Sequence, residues 1–265
     1  MKIIALIACM HEKDHGIVER TNVQTDAVVV NQCDEDKVEE YTFTNNKGRE
    51  CRVIFVNTTE RGLSKSRNMA ISFAKNADVC LICDDDEVLV DDYEGIIANA
   101  FSRDGKSVDL AAFSFNRPGD RGHIADHEIK MGVKEICKTS SVELAFRRKT
   151  ILNAGIVFDE KMGSGTGNGG GEDTKFMMDC KRKKLNMRYF PQVIGTLMES
   201  ESQWFNGWDK KLMIDSGWTG RREYGTVLGY IYIMNTLVHH YKDYKGEMNC
   251  FQAFYYLNKG FFQKR

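Results

Sequence analysis

The chain has 265 residues, of which 42% are hydrophobic and 28% charged, with a formal net charge of −1. That size suits one large domain or a domain with an appendage, and a charge so near zero gives no global electrostatic basis for binding nucleic acid. Eight cysteines without a secretory leader suggest reduced thiols and a cytoplasmic setting.

Residues 2–9 are apolar and read as a first buried strand, too short for a leader or a membrane span. His11-Glu12-Lys13-Asp14-His15 then matches the H-E-x-x-H zinc signature in letters. No apolar helical stripe carries it, so the match is accidental. Further strands are expected at 27–32, 52–57, 78–83 and 110–116. Between them, 64–76 carries Met69, Ala70, Phe73 and Ala74 at helical spacing, and 91–102 carries Tyr93, Ile96, Ile97 and Ala100 likewise. Such alternation implies a parallel sheet covered on both faces.

Over 117–139 periodicity fades and charge rises, as in a long surface loop. Short strands are expected at 142–146 and 156–158. Six glycines then fill the nine positions from Gly163 to Gly171, a stretch that packs no core but lets backbone approach a ligand. A helix over 172–184 follows. Beyond Pro191 aromatic and helix-forming residues dominate, and 204–265 reads as a helical extension of a domain over 1–203. The apolar run 227–238 is interrupted by Asn235 and does not reach the length of a membrane span.

Three constellations carry chemistry. Asp84-Asp85-Asp86 closes the apolar run Val79-Cys80-Leu81-Ile82-Cys83, at the sheet rim where open α/β folds bind ligands. Three crowded carboxylates repel one another unless a cation shares them, which points to a metal–diphosphate site; a solvated acidic turn is the plainer alternative. Cys80 and Cys83 lack a second pair for zinc and are read as core. Glu60-Arg61-Gly62-Leu63-Ser64-Lys65-Ser66-Arg67-Asn68 runs from a strand end into a helix, a position that suits anions. There Arg61, Lys65 and Arg67 meet a nucleotide diphosphate, or Lys65 and Arg67 are solvated helix charges. Glu172-Asp173 opens a helix behind the glycine run, as a general base or as an N-terminal cap. The dinucleotide-like spacing within 165–170 arises only because so many positions there are glycine, far from the first strand.

Gly62 to Asn68, the following helix, the strand ending in Asp84-Asp85-Asp86, and the later Gly170-Gly171-Glu172-Asp173 together resemble family 2 glycosyltransferases of the GT-A fold. Ala145-Phe146-Arg147-Arg148 is similar to bacterial members that build capsular and other surface polysaccharides. The resemblance implies an α/β nucleotide-diphospho-sugar transferase fold, a mixed and mostly parallel sheet flanked by helices, with a helical C-terminal extension. It implies inverting transfer of a hexose from a UDP-sugar to a glycan, with Mn²⁺ or Mg²⁺ on Asp84 and Asp86. Asp84, Asp85, Arg61, Lys65, Asn68, Gly170 and Gly171 would contact the nucleotide-sugar, and Ala8 and Asn31 to Asp34 the uracil and ribose. Asp173 would be the base and Glu172 its neighbour on the acceptor, while Glu87 stands where many members have a further Asp. A downstream histidine of the family is missing here; either Glu199 or Glu201 substitutes for it, or metal contacts from this side are absent.

Two other classes compete. A nucleotidyltransferase would carry a glycine- and arginine-rich loop after the first strand, and Ala8-Cys9-Met10-His11 supplies none. A non-catalytic nucleotide-sugar binder would have less use for both acidic motifs. In the tail, Trp204, Phe205 and Trp208 form either a stacking platform for the acceptor or core. Residues 251–265 mix aromatic with basic side chains, which suits a membrane interface beside a lipid-linked acceptor, and equally suits packing against a neighbour.

Overall fold

The computed structural model describes residues 1–102, 107–117, 124–198 and 207–264. Glu199, Glu201, Trp204 and Phe205 lie outside the described residues. In chain order the first half contains β1 (Ile3–Met10), α1 (Ile17–Arg20), β2 (Asp26–Gln32), β3 (Lys37–Thr44), β4 (Glu50–Thr58), α2 (Leu63–Phe73), β5 (Val79–Asp84), β6 (Glu87–Leu89), α3 (Tyr93–Ser102) and β7 (Leu110–Asn116). Then come β8 (Ile129–Lys130), α4 (Val133–Ile136), a 3₁₀ turn (Ser141–Glu143), β9 (Leu144–Arg147), α5 (Arg148–Asn153), α6 (Glu172–Arg182) and β10 (Met187–Leu197). The helices α7 (Lys210–His239), α8 (Tyr241–Tyr244) and α9 (Cys250–Phe262) end the chain.

The strands form one sheet in the order β3-β4-β2-β1-β5-β9-β7-β10-β6, with β8 beside β10. β4, β2, β1, β5, β7 and β10 run one way, and β3, β9, β6 and β8 run the other. Side chains alternate across a strand, so β1 sends Ile3, Ala5, Ile7 and Cys9 into one core and Ile4 and Leu6 into the other. α1 and α3 cover the first face; α2, α5 and α6 cover the second. The chain passes from β1 to β2 and β4 on one side and returns to β5 on the other. That reversal opens a crevice beyond the C-terminal ends of these strands, and Asp84 sits there, in register with Ala8.

Several expectations need correction. Residues 156–158 are not a strand. Asn68 clamps that backbone instead, donating from Nδ2 to Phe158 O and accepting Phe158 N at Oδ1, both at 2.9 Å. Its polar groups are thereby paired without a sheet neighbour, while Ile156 and Phe158 bury themselves. The stretch 117–139 is not only surface loop: it holds β8 and α4, and Met131 and Ile136 are buried. β3 and β10 were not foreseen. β3 is an edge strand whose side chains alternate between exposed and half-buried, and β10 shifts register between Tyr189 and Val193. Pro191 lies in that shift, where a residue without N–H costs no ladder bond.

α7 breaks at Gly225, whose φ of 82° and ψ of −161° are not helical. The segment 226–239 folds back on 210–224, bringing Tyr224 and Tyr232 to 5.4 Å between ring centroids. α9 lies against both. Gly260 is required there, since a Cβ would stand 1.8 Å from Ile214 O. Met213, Ile233, Leu237, Ala253, Leu257 and Phe261 form the separate small core of this helical extension.

Candidate active site

The crevice is built around Arg67, which the first turns of α2 carry inward until it is 2% exposed. Its Nη1 donates to Asp173 Oδ1 at 2.6 Å and to Glu172 Oε1 at 3.3 Å. Its Nη2 donates to Asp84 Oδ1 at 3.1 Å and to Ser141 Oγ at 2.7 Å. The guanidinium also lies over the Phe158 ring, 5.4 Å from its centroid. Two acidic motifs separated by nearly ninety residues of chain are thus joined through one planar cation, whose fork suits several carboxylates at once.

The charge balance in this cluster is negative. Burial pushes the Glu172 carboxyl up to about 7, repulsion from Asp173 adds to the rise, and Arg67 opposes it. Burial likewise raises Asp84 against the pull of Arg67, with Asp173 and Asp86 raising it further. Asp85 is raised by burial and by the neighbouring Asp84. Asp173 accepts a second hydrogen bond from Ser141 N at 3.1 Å, and its side chain is 21% exposed.

Asp84, Asp85 and Asp86 are half-buried at the strand end. This donor set fits a hard divalent cation that takes one or two carboxylates and completes its shell from a phosphate ligand. Among the described residues no three His, Cys, Asp or Glu side chains are placed to hold a metal alone. Glu87 is no part of the set. It is fully buried, and burial drives its carboxyl well above the usual range. His11 and His15 make no zinc site either: no helix carries them, and His15 stacks on Tyr41 at 4.2 Å.

Other expected contacts fall in three places. Ala8 borders Asp84 at the rim. Asp34, Arg61 and Lys65 form a polar edge: Arg61 donates to Asp34 Oδ1 at 2.7 Å and to Cys33 O at 2.8 Å, and Lys65 lies 3.4 Å from Glu60. Asn31 and Asn68 are internal clamps. Asn31 donates to Glu12 O and Asn57 Oδ1 and accepts Glu12 N, which shapes the turn after β1 and leaves its amide engaged. Trp208 packs into the helical extension and stacks on His240 at 4.4 Å.

The glycine segment is held on two sides. Leu63 N donates to Ser164 O at 3.0 Å, and Ser64 Oγ to Met162 O at 2.9 Å. From α7, Thr219 Oγ1 donates to Gly170 O at 3.3 Å. Gly171, with φ of 95°, leaves room for Glu223; a Cβ there would stand 1.8 Å from Glu223 Oε1. Sequence reasoning missed Ser141 and Glu223. A lone Glu some fifty residues downstream carries no motif, and only the fold brings it to the start of α6. Glu223 is buried, which raises its carboxyl to about 8; Tyr224 opposes the rise, and Glu172 and Asp173 add to it.

A family model described as glycosyl transferase family 2 matches residues 15–155. Among solved structures, TarS 1–349 of S. aureus in complex with UDP-GlcNAc superposes with a TM-score of 0.65 at 14% identity, covering 98% of this chain and 79% of that one. TarS 1–349 without that ligand gives 0.63 at 12% identity over the same shares. Full-length TarS gives 0.58 at 15% identity, covering 100% of this chain and 44% of that one. At such identities the likeness shows the fold, and it is the GT-A fold. No curated protein matches the sequence significantly.

Two outcomes follow for the site. Arg67→Met leaves buried carboxylates uncompensated, so urea unfolding at neutral pH should show a loss of about 3–5 kcal/mol; an unchanged midpoint would contradict the network. Glu223 binds its proton in the folded chain up to about pH 8 but only to about pH 4.5 when unfolded. Folded protein holds more protons between those values, so stability falls as pH rises through them. Glu223→Gln removes that fall: its melting temperature should match the parent near pH 4 and exceed it at pH 9, a gain on the order of a few kcal/mol. Parallel melting curves would contradict it.

Proposed function

The chain belongs to glycosyl transferase family 2, and we propose from that premise that it transfers a hexose from a UDP-sugar to a glycan, with inversion at the anomeric carbon. The carrying observation is the bridge through Arg67, which sets Asp84 and Asp173 on two arms of one guanidinium in a single crevice. The TarS complexes with UDP-GlcNAc and with UDP support a uridine nucleotide as the carrier. The acceptor is a glycan or lipid-linked glycan of surface polysaccharide synthesis, met at the cytoplasmic face of a membrane.

The reaction is a direct displacement. The acceptor oxygen bonds to the anomeric carbon from the face opposite the diphosphate, the bond from that carbon to the diphosphate oxygen breaks, and UDP leaves. Asp173 takes the proton of the acceptor hydroxyl as that bond forms. Arg67 and Ser141 N orient the Asp173 carboxylate for this step, and Glu172 beside it contacts the acceptor. Asp84 and Asp86 would hold Mn²⁺ or Mg²⁺, which when bound supplies charge neutralisation to the departing diphosphate. The glycine segment, anchored by α2 and α7, borders the donor and limits water.

Release of UDP from UDP-sugars, with and without acceptor, tests the reading. Asp173→Asn should lower transfer roughly a hundredfold or more while UDP-sugar binding persists; an unchanged rate removes Asp173 from the base role. Thermal stabilisation by one UDP-sugar should require Mn²⁺, and Asp86→Ala should abolish that requirement together with the stabilisation. Stabilisation by GDP-, dTDP- or CMP-sugars in its place would overturn the donor class.

A further inference from the structure

The helical extension turns two apolar stripes outward. On the segment 226–239, Val227, Ile231 and Val238 recur at i, i+4 and i+11, which is one helix face, and they are 73%, 59% and 67% exposed. On α9, Phe251, Tyr255 and Phe262 repeat the same spacing and are 86%, 61% and 72% exposed. The stripes adjoin. The inner faces of the two helices share the core of Ile233, Leu237, Ala253, Leu257 and Phe261. Tyr230 meets Phe261 edge-on at 5.4 Å, and Phe261 meets Phe262 at 5.2 Å. Phe251, Tyr255 and Phe262 therefore lie on the outside of α9, while Phe261 alone of the phenylalanines at its end packs into the core.

Charge separates in the same region. Residues 226–265 contain five basic side chains, Lys242, Lys245, Lys259, Lys264 and Arg265, against Asp243 and Glu247. Five against two is +3, so the rest of the chain, within a total of −1, carries −4. Neither acidic residue belongs to either stripe.

We propose that this two-helix face is a docking surface for an anionic lipid bilayer, lying flat with the stripes sunk in the headgroup region and the lysines against lipid phosphates. No described helix is long and apolar enough to cross a membrane, which leaves the in-plane geometry. Outward Tyr255 and Tyr230 suit that depth, with an apolar ring and a polar tip. A second copy fits the charges less well. Two-fold docking of this face on itself would bring together two surfaces of the same net positive charge. This surface meets the membrane whether or not sugar is transferred.

The test is co-sedimentation of the full chain with phosphatidylcholine vesicles, with and without phosphatidylglycerol, in the absence of nucleotide. Binding is expected only with phosphatidylglycerol, and it should weaken as salt screens the lysines. Phe251→Ser combined with Phe262→Ser should weaken it roughly tenfold or more. Lys259→Glu with Lys264→Glu should weaken it without altering the apolar stripes. UDP-sugar binding, measured separately, should stay unchanged in both double variants, which shows that they fold. Absence of binding to either vesicle, or binding indifferent to both double variants, would overturn the proposal. So would a dimer in sedimentation velocity that the phenylalanine variant dissolves, which assigns the face to a second copy.

Discussion

The guanidinium of Arg67 determines where most of the crevice stands, because it is buried among groups that arrive from separate parts of the chain: Asp84 from β5, Glu172 and Asp173 from α6, and Ser141 from the turn before β9. A buried cation is costly unless its donors are met by well-placed acceptors. Here the acceptors exceed what one positive charge neutralises. Burial and mutual repulsion accordingly raise Glu172 and Asp84. A site left short of positive charge is suited to a further cation, and the rim carboxylates Asp85 and Asp86 are where one would add least strain.

The helical extension is tied to this arrangement. The segment 210–224 of α7 reaches the glycine segment through Thr219 and Glu223, so the start of α6 is fixed from α2 on one side and from α7 on the other. Glu223 brings another buried carboxyl near Glu172 and Asp173. Glu172 and Asp173 add to the rise of the Glu223 carboxyl, which links the stability of the extension to the ionisation of the crevice. The same extension turns its outer apolar face away from this contact, so one bundle supports the site and presents a surface.

Some of this was legible in the sequence for clear reasons. The core strands are unbroken apolar runs, and β5 ends in three aspartates that no buried strand tolerates in its interior. The glycine run followed by two acids marks the start of α6, because only that composition allows the close backbone approach. What stayed hidden depends on tertiary partners. Phe158 looks like part of a strand until the Asn68 clamp is seen. Arg67 on paper is one of several basic residues near a helix start; its distinction is to point inward. Asn31 has the polarity of a ligand contact, yet its amide is engaged by Glu12 and Asn57. Glu223 acquires meaning only from a helix that folds back across the glycine segment.

One crevice holds Asp84 and Asp173 on opposite arms of Arg67. A crystal structure of the chain with UDP and Mn²⁺, with the metal located by its anomalous signal, tests that most directly. The expected result is metal held by Asp84 and Asp86 against the diphosphate, with Asp173 still hydrogen-bonded to Arg67. Nucleotide bound away from the ends of β1 and β5, or metal held by residues other than Asp84 and Asp86, would contradict it.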